Sequence, residues 1–167
     1  MILNPQDASF GPSSARVAEV HRKALIVVLA LAASIVIYVV IGLVVVSMKE
    51  AEPEFEQPPL LFITLVTFLA LASTAVRRTQ LRQMRLEAVV GARGIDGLLK
   101  HLFTVTLIAA AIAETIGMMA LLVSFFGGGQ FYVVIFGVVG LVVILSSYPR
   151  RAAWEKIVEY YAATMPG

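Results

Sequence analysis

LFTVTLIAAAIAETIGMMALLVSFF, residues 102–126, decides the reading of this chain. As a helix rising about 1.5 Å per residue, the run is long enough to cross a hydrocarbon layer about 30 Å thick. Its single charge, Glu114, falls near the middle. A charged side chain at that depth costs roughly 2.5–3.5 kcal/mol on insertion scales, so an acid there marks a candidate site.

Three further apolar runs flank it, at residues 24–48, 60–76 and 131–148. The chain is 59% hydrophobic and 14% charged over 167 residues, with a mean hydropathy of +0.89. That is too apolar for a soluble domain. The reading is an all-α polytopic membrane protein with four transmembrane helices in two hairpins and amphipathic helical extensions on the cytoplasmic side. With no cysteine, disulfides and thiolate chemistry are excluded.

The net charge of +2 matters less than its distribution. Arg16, Arg22 and Lys23 precede the first run, and Arg77, Arg78, Arg82, Arg85, Arg93 and Lys100 fill the connection between the second and third. Arg150, Arg151 and Lys156 follow the fourth. The 49–59 connection instead sets Lys49 against Glu50, Glu52, Glu54 and Glu56, and the 127–130 connection has no charge. By the positive-inside rule both termini and the central loop face the cytoplasm of a cell's inner, plasma membrane. The first run is longer than the apolar core of a signal peptide, so it is expected to be an uncleaved helix.

Five segments follow. Residues 1–23 form an N-terminal arm with Pro5, Gly11 and Pro12 and a basic lead-in, where His21 is expected as a wet interfacial side chain. Residues 24–78 form the first hairpin; its first helix aligns Ser34, Tyr38 and Gly42 on one side, a stripe that admits another helix closely, and its second carries Thr64, Thr67, Ser73 and Thr74. Residues 79–101 form a basic amphipathic connection in which RRTQLRQMRLEAVV extends the second helix or bends along the membrane surface. Arg77, Arg78, Arg82 and Arg85, with Arg150 and Arg151, are expected to meet anionic lipid head groups rather than nucleic acid. Gly91, Gly94 and Gly97 should break the helix as a hinge, since GARGIDG lacks the lysine and context of a phosphate loop. Residues 102–149 form the second hairpin, and 150–167 an amphipathic tail whose Trp154, Ile157, Val158 and Tyr161 share one face, with Trp154 and Tyr161 as interfacial anchors.

A faint repeat runs through this layout. Each half is an apolar hairpin followed by paired arginines and an amphipathic segment, and LAASIVIYVV around Ser34 resembles AIAETIGMMA around Glu114. Around the acid, Ala110, Ala113 and Gly117 are small enough to bring a second helix into backbone contact, with Ser34, Thr64 and Thr67 as hydroxyls within the same bundle. A carboxyl removed from water is cheaper neutral than charged.

The string AIAETIGMMALLVSFF is similar to the carboxylate-bearing helix of the rotary ATP synthase c subunits, the proteolipids, over about 25 residues. The basic connection and the outward-running acid helix resemble that family in orientation. The resemblance implies that Glu114 binds a transported proton or sodium ion in an oligomeric ring. The expectation carried forward is an integral-membrane scaffold or accessory subunit, c-subunit-like, in which Glu114 is a protonatable carboxylate used in helix packing. The alternative is an ion-translocating proteolipid-like subunit. Partners are the bilayer and other membrane subunits or copies of itself. No constellation of Ser, His and Asp suggests an enzyme, and no metal or cofactor is expected.

Overall fold

A computed structural model describes residues 12–49 and 60–164. The N-terminal arm through residue 11, the acidic connection at 50–59 and the last three residues of the tail lie outside the described residues. Five helices follow in order, α1 (Pro12–Met48), α2 (Leu60–Gln80), α3 (Gln83–Phe125), α4 (Gln130–Ser146) and α5 (Arg151–Thr164), with no strand among the described residues. Four helical segments are long and apolar enough to cross a membrane, which defines the chain as a multi-pass α-helical membrane protein.

α3 is the axis. It touches every other helix, and 44% of its apolar window is enclosed by protein against 11% for α2. Its inward positions explain this: Ala109, Ala110, Ala113, Gly117 and Ala120 are all buried, and small side chains let neighbouring backbones approach where lipid removes the hydrophobic drive for association. Gly140 of α4 packs tightly here: a Cβ added to it would stand 3.1 Å from the Gly117 nitrogen and 3.2 Å from the Ala113 carbonyl oxygen.

Contacts at both ends set the helix directions. Arg16 pairs with Asp96 at 2.7 Å, while Lys49 Nζ donates to the Phe125 carbonyl at 3.0 Å, so α1 and α3 run the same way. Phe62 lies 5.9 Å from Phe126 between ring centroids, and His101 Nε2 donates to the Gln80 carbonyl at 3.1 Å; α2 therefore runs against α3.

Within residues 24–78, α1 and α2 do not pack closely on each other among the described residues; each packs on α3 instead. The reason is in the surfaces. α1 presents the closely packing face around Ile35 and Gly42 to α3 and α4, whereas α2 has no glycine and leaves Leu61, Phe68 and Leu71 exposed.

The basic connection is built as a bend followed by a short helical segment. α2 ends at Gln80, a turn follows at Leu81 and Arg82, and residues from Gln83 onward belong to α3. Of the three glycines expected to break the helix, only Gly94 does so, at φ 64° and ψ −165°. That positive φ is one a side chain with Cβ resists. The break divides α3 into two helical segments, 83–93 and 95–125, and at about 1.5 Å per residue the second is by itself long enough to cross the hydrocarbon layer.

The first segment and the residues just after the break meet the amino end of α1 and one face of α5 in a small apolar core. Val17, Leu86, Val90, Leu98, Leu102, Trp154, Val158 and Tyr161 form one buried cluster.

Candidate functional site around Glu114

Glu114 lies half-buried on α3, between the enclosed positions Ala110, Ala113 and Gly117 and the exposed Ala111, Thr115 and Met118. Helical geometry explains the rim position, because residues three and four apart share a face and Glu114 sits at the edge of the one that α1 covers. Across the seam the Tyr38 hydroxyl donates to Glu114 Oε1 at 3.3 Å. Three residues onward on α3 and three back on α1, Gly117 seats Ile35; a Cβ added at Gly117 would stand 2.7 Å from Ile35 Cγ1. Ile35 is fully buried. One tight contact thus brings α1 and α3 together, and one polar contact at its edge occupies the carboxylate.

The hydroxyls anticipated near the acid are placed as follows. Ser34 is half-buried and donates to the carbonyl of Ala30 in its own helix at 3.2 Å. Thr64 and Thr67 lie on exposed faces of α2, and Thr67 donates back to Ile63 at 2.8 Å. Such local bonds are the usual resting place of hydroxyls in apolar helices. Tyr38, not these, reaches Glu114. It belongs to the Ser34, Tyr38, Gly42 stripe, and its length is the available signal: a phenol reaches across a helix seam where a serine hydroxyl stops at its own backbone.

At the arginine-rich end, Arg77 is half-buried and its Nη1 donates to the Ser146 carbonyl, tying the last turn of α2 to that of α4. Arg78, Arg82, Arg85 and Arg150 are exposed. Arg151 is bound to Glu155 at 2.7 Å.

Trp154 and Tyr161, expected as anchors in the lipid interface, are 6% and 4% exposed, enclosed in the cluster with α1 and α3. The i, i+3, i+4, i+7 face of α5 is covered by protein, because α1 and α3 offer it apolar side chains such as Val17, Leu86 and Leu98. His21 is likewise half-buried rather than wet. Its ring stands edge-on to Trp154 with centroids 5.7 Å apart, and Nε2 meets the Pro149 carbonyl at 2.8 Å. A carbonyl only accepts, so both His21 and His101 carry a proton on Nε2 in these bonds. His101 held no place in the sequence reading. The two histidines are reciprocal: one on α1 holds the end of α4, and one on α3 holds the end of α2. They stand in the same register, 80 residues apart, as the ion pair Arg16 to Asp96 and as Ser34 and Glu114.

Two titrating groups outside the membrane spans are perturbed. The Glu19 carboxyl is held below its usual range, chiefly by its hydrogen bond from Lys23 and then by that charge. Tyr161 is pushed up, first by burial, then by the charges of Glu87 and Tyr160. Among the described residues no three His, Asp or Glu side chains gather as a metal site would require.

No protein-family model matches the chain, and comparisons with curated proteins and with solved structures find no similar protein.

Proposed function

We propose that this chain is an integral-membrane scaffold or accessory subunit of a larger membrane complex, in which Glu114 is a structural carboxylate of the α1–α3 seam. The carrying observation is the bond from Tyr38 to Glu114 Oε1 at 3.3 Å, set beside the Ile35–Gly117 contact. Polar side chains between membrane helices commonly act as such glue, worth on average about 0.6 kcal/mol each. On this reading the protein sits in the inner membrane with its arginine-rich end toward the cytoplasm.

A second reading has one observation in its favour. In a single copy of the chain Glu114 is only half-buried, so its carboxyl reaches the outer surface of the bundle, where a neighbouring copy or another subunit could complete an ion site. That is the c-subunit-like alternative, in which Glu114 loads and unloads a proton or sodium ion in a ring.

Native mass measurement of the complex extracted from membranes, joined to carbodiimide labelling, separates the two. The scaffold reading expects one copy among unrelated partners and no pH-dependent, ion-protected labelling at Glu114. A homo-oligomeric ring with sodium- or proton-protected labelling at that residue would refute it and establish the alternative.

A further inference from the structure

We propose that the arginine-rich end holds a phosphate-bearing anion, the phosphodiester headgroup of an acidic membrane lipid, in the cleft between the last turns of α2 and α4 and the first turn of α5. This inference rests on the chain being a membrane protein and is independent of what Glu114 does.

The cleft is built from two adjoining cavities. One, about 520 Å³, brings Arg77 and Arg150 to the same space. The other, about 540 Å³, adds Arg78 and shares Arg77, Leu81 and Ser146 with the first. Arg77 therefore faces Arg150 across one cavity and Arg78 across the other, and among the described residues none of the three has a carboxylate in ion-pair reach. The ion pairs among the described residues are Arg16–Asp96, Lys23–Glu19 and Arg151–Glu155. Like charges gathered without a counterion repel one another, and an anion seated among them relieves that repulsion.

Two features favour phosphate and lipid. Arg77 is already held, because one arm of its fork is fixed on the Ser146 carbonyl, leaving its other donors in a set orientation; a guanidinium fork matches phosphate oxygens in pairs. The same cavity has an apolar wall that includes Leu81, Leu145 and Trp154, and Leu145 is 65% exposed on the outer face of α4. The cleft is thus charged at one edge and greasy at the other, at the level where the apolar span of α4 gives way to Tyr148, Pro149 and Arg150. That is the depth of a headgroup, and basic pockets between spans are a recognised way to hold one. A free phosphate would use the arginines and leave the apolar wall idle.

The test uses the full chain, purified in detergent and offered mixed micelles of phosphatidylglycerol and phosphatidylcholine, with retained lipid counted by native mass spectrometry. Wild type should retain phosphatidylglycerol in preference. The Arg78→Gln/Arg150→Gln variant spares the Arg77–Ser146 bond and should lose that preference by about fivefold for each arginine removed. Arg93→Gln, at the same end but outside the cleft, should not. Binding of inorganic phosphate alone that displaces the lipid at millimolar concentration would uphold the phosphate site and assign it to a soluble ligand. Equal retention of the two lipids by wild type, or a preference unchanged in the double variant, would overturn the proposal.

Discussion

Gly117→Ala tests the seam on which the site depends. The new methyl would stand 2.7, 2.9 and 3.0 Å from Cγ1, Cγ2 and Cβ of Ile35, where ordinary contact begins at 3.4 Å. About half an ångström or more of overlap must be relieved, and Ile35 has little room: it is 0% exposed, and a β-branched side chain in a helix has essentially one rotamer. Overpacking of this kind costs about 1–3 kcal/mol. Replacing glycine by alanine in a helix returns at most about 1 kcal/mol of propensity. With the full return subtracted, the expected net loss is about 0–2 kcal/mol, toward the upper end because Ile35 has no room to move. Ile35→Ala alone leaves a cavity and should cost about 2–5 kcal/mol. In the double variant the alanine methyl at position 117 enters space the isoleucine has vacated, so the two losses should fall short of their sum by about 1 kcal/mol. Reversible unfolding in mixed dodecyl maltoside and dodecyl sulfate micelles, followed by helicity, measures all four species. Should Gly117→Ala match or exceed the wild type while the pair of changes simply adds, α1 and α3 do not meet through this contact.

Three further outcomes are expected. Tyr38→Phe should lower stability by about 0.6 kcal/mol in the same titration, the average for an interhelical hydrogen bond in a membrane protein, while Glu114→Gln, which keeps an acceptor oxygen, should stay near wild type; a large loss in Glu114→Gln alone would mean that the charge, not the bond, matters. Trp154→Ala should cost about 3–5 kcal/mol of local stability and speed tryptic cleavage after Arg151 and Lys156, because α5 is held by protein contacts; unchanged cleavage would return Trp154 to the lipid interface. The docking of α5 should depend on pH at the alkaline end. Tyr161 has a folded value raised above the ordinary 10.0, so its contribution is fully present below that value and is lost as pH climbs through it toward the higher folded one. Protease protection of α5 should therefore decline above about pH 10, and Tyr161→Phe should flatten the decline; an equally steep decline in that variant would place its cause in other groups.

Much of the fold was legible because lipid imposes few solutions. A backbone without water must satisfy its own hydrogen bonds, so each long apolar run reads as a helix from length and composition alone. Glu114 stood out for the same reason, as the one charge in four greasy spans. The stripe of Ser34, Tyr38 and Gly42 was visible as a packing face, and the buried Gly42 meets Val133 and the Ala120 carbonyl there.

The tertiary structure decided which neighbour each face met, and hydropathy carries no such instruction. Chain order suggested that α1 would lie against α2, yet the glycines and alanines of α3 and α4 give α1 closer contact than α2 can, and α3 takes the central place. Tyr38 became the partner of Glu114 only when that seam fixed their register. An amphipathic face such as that of Trp154 and Tyr161 looks the same whether it is covered by lipid or by protein. The amino end of α1 and the first part of α3 supplied the protein.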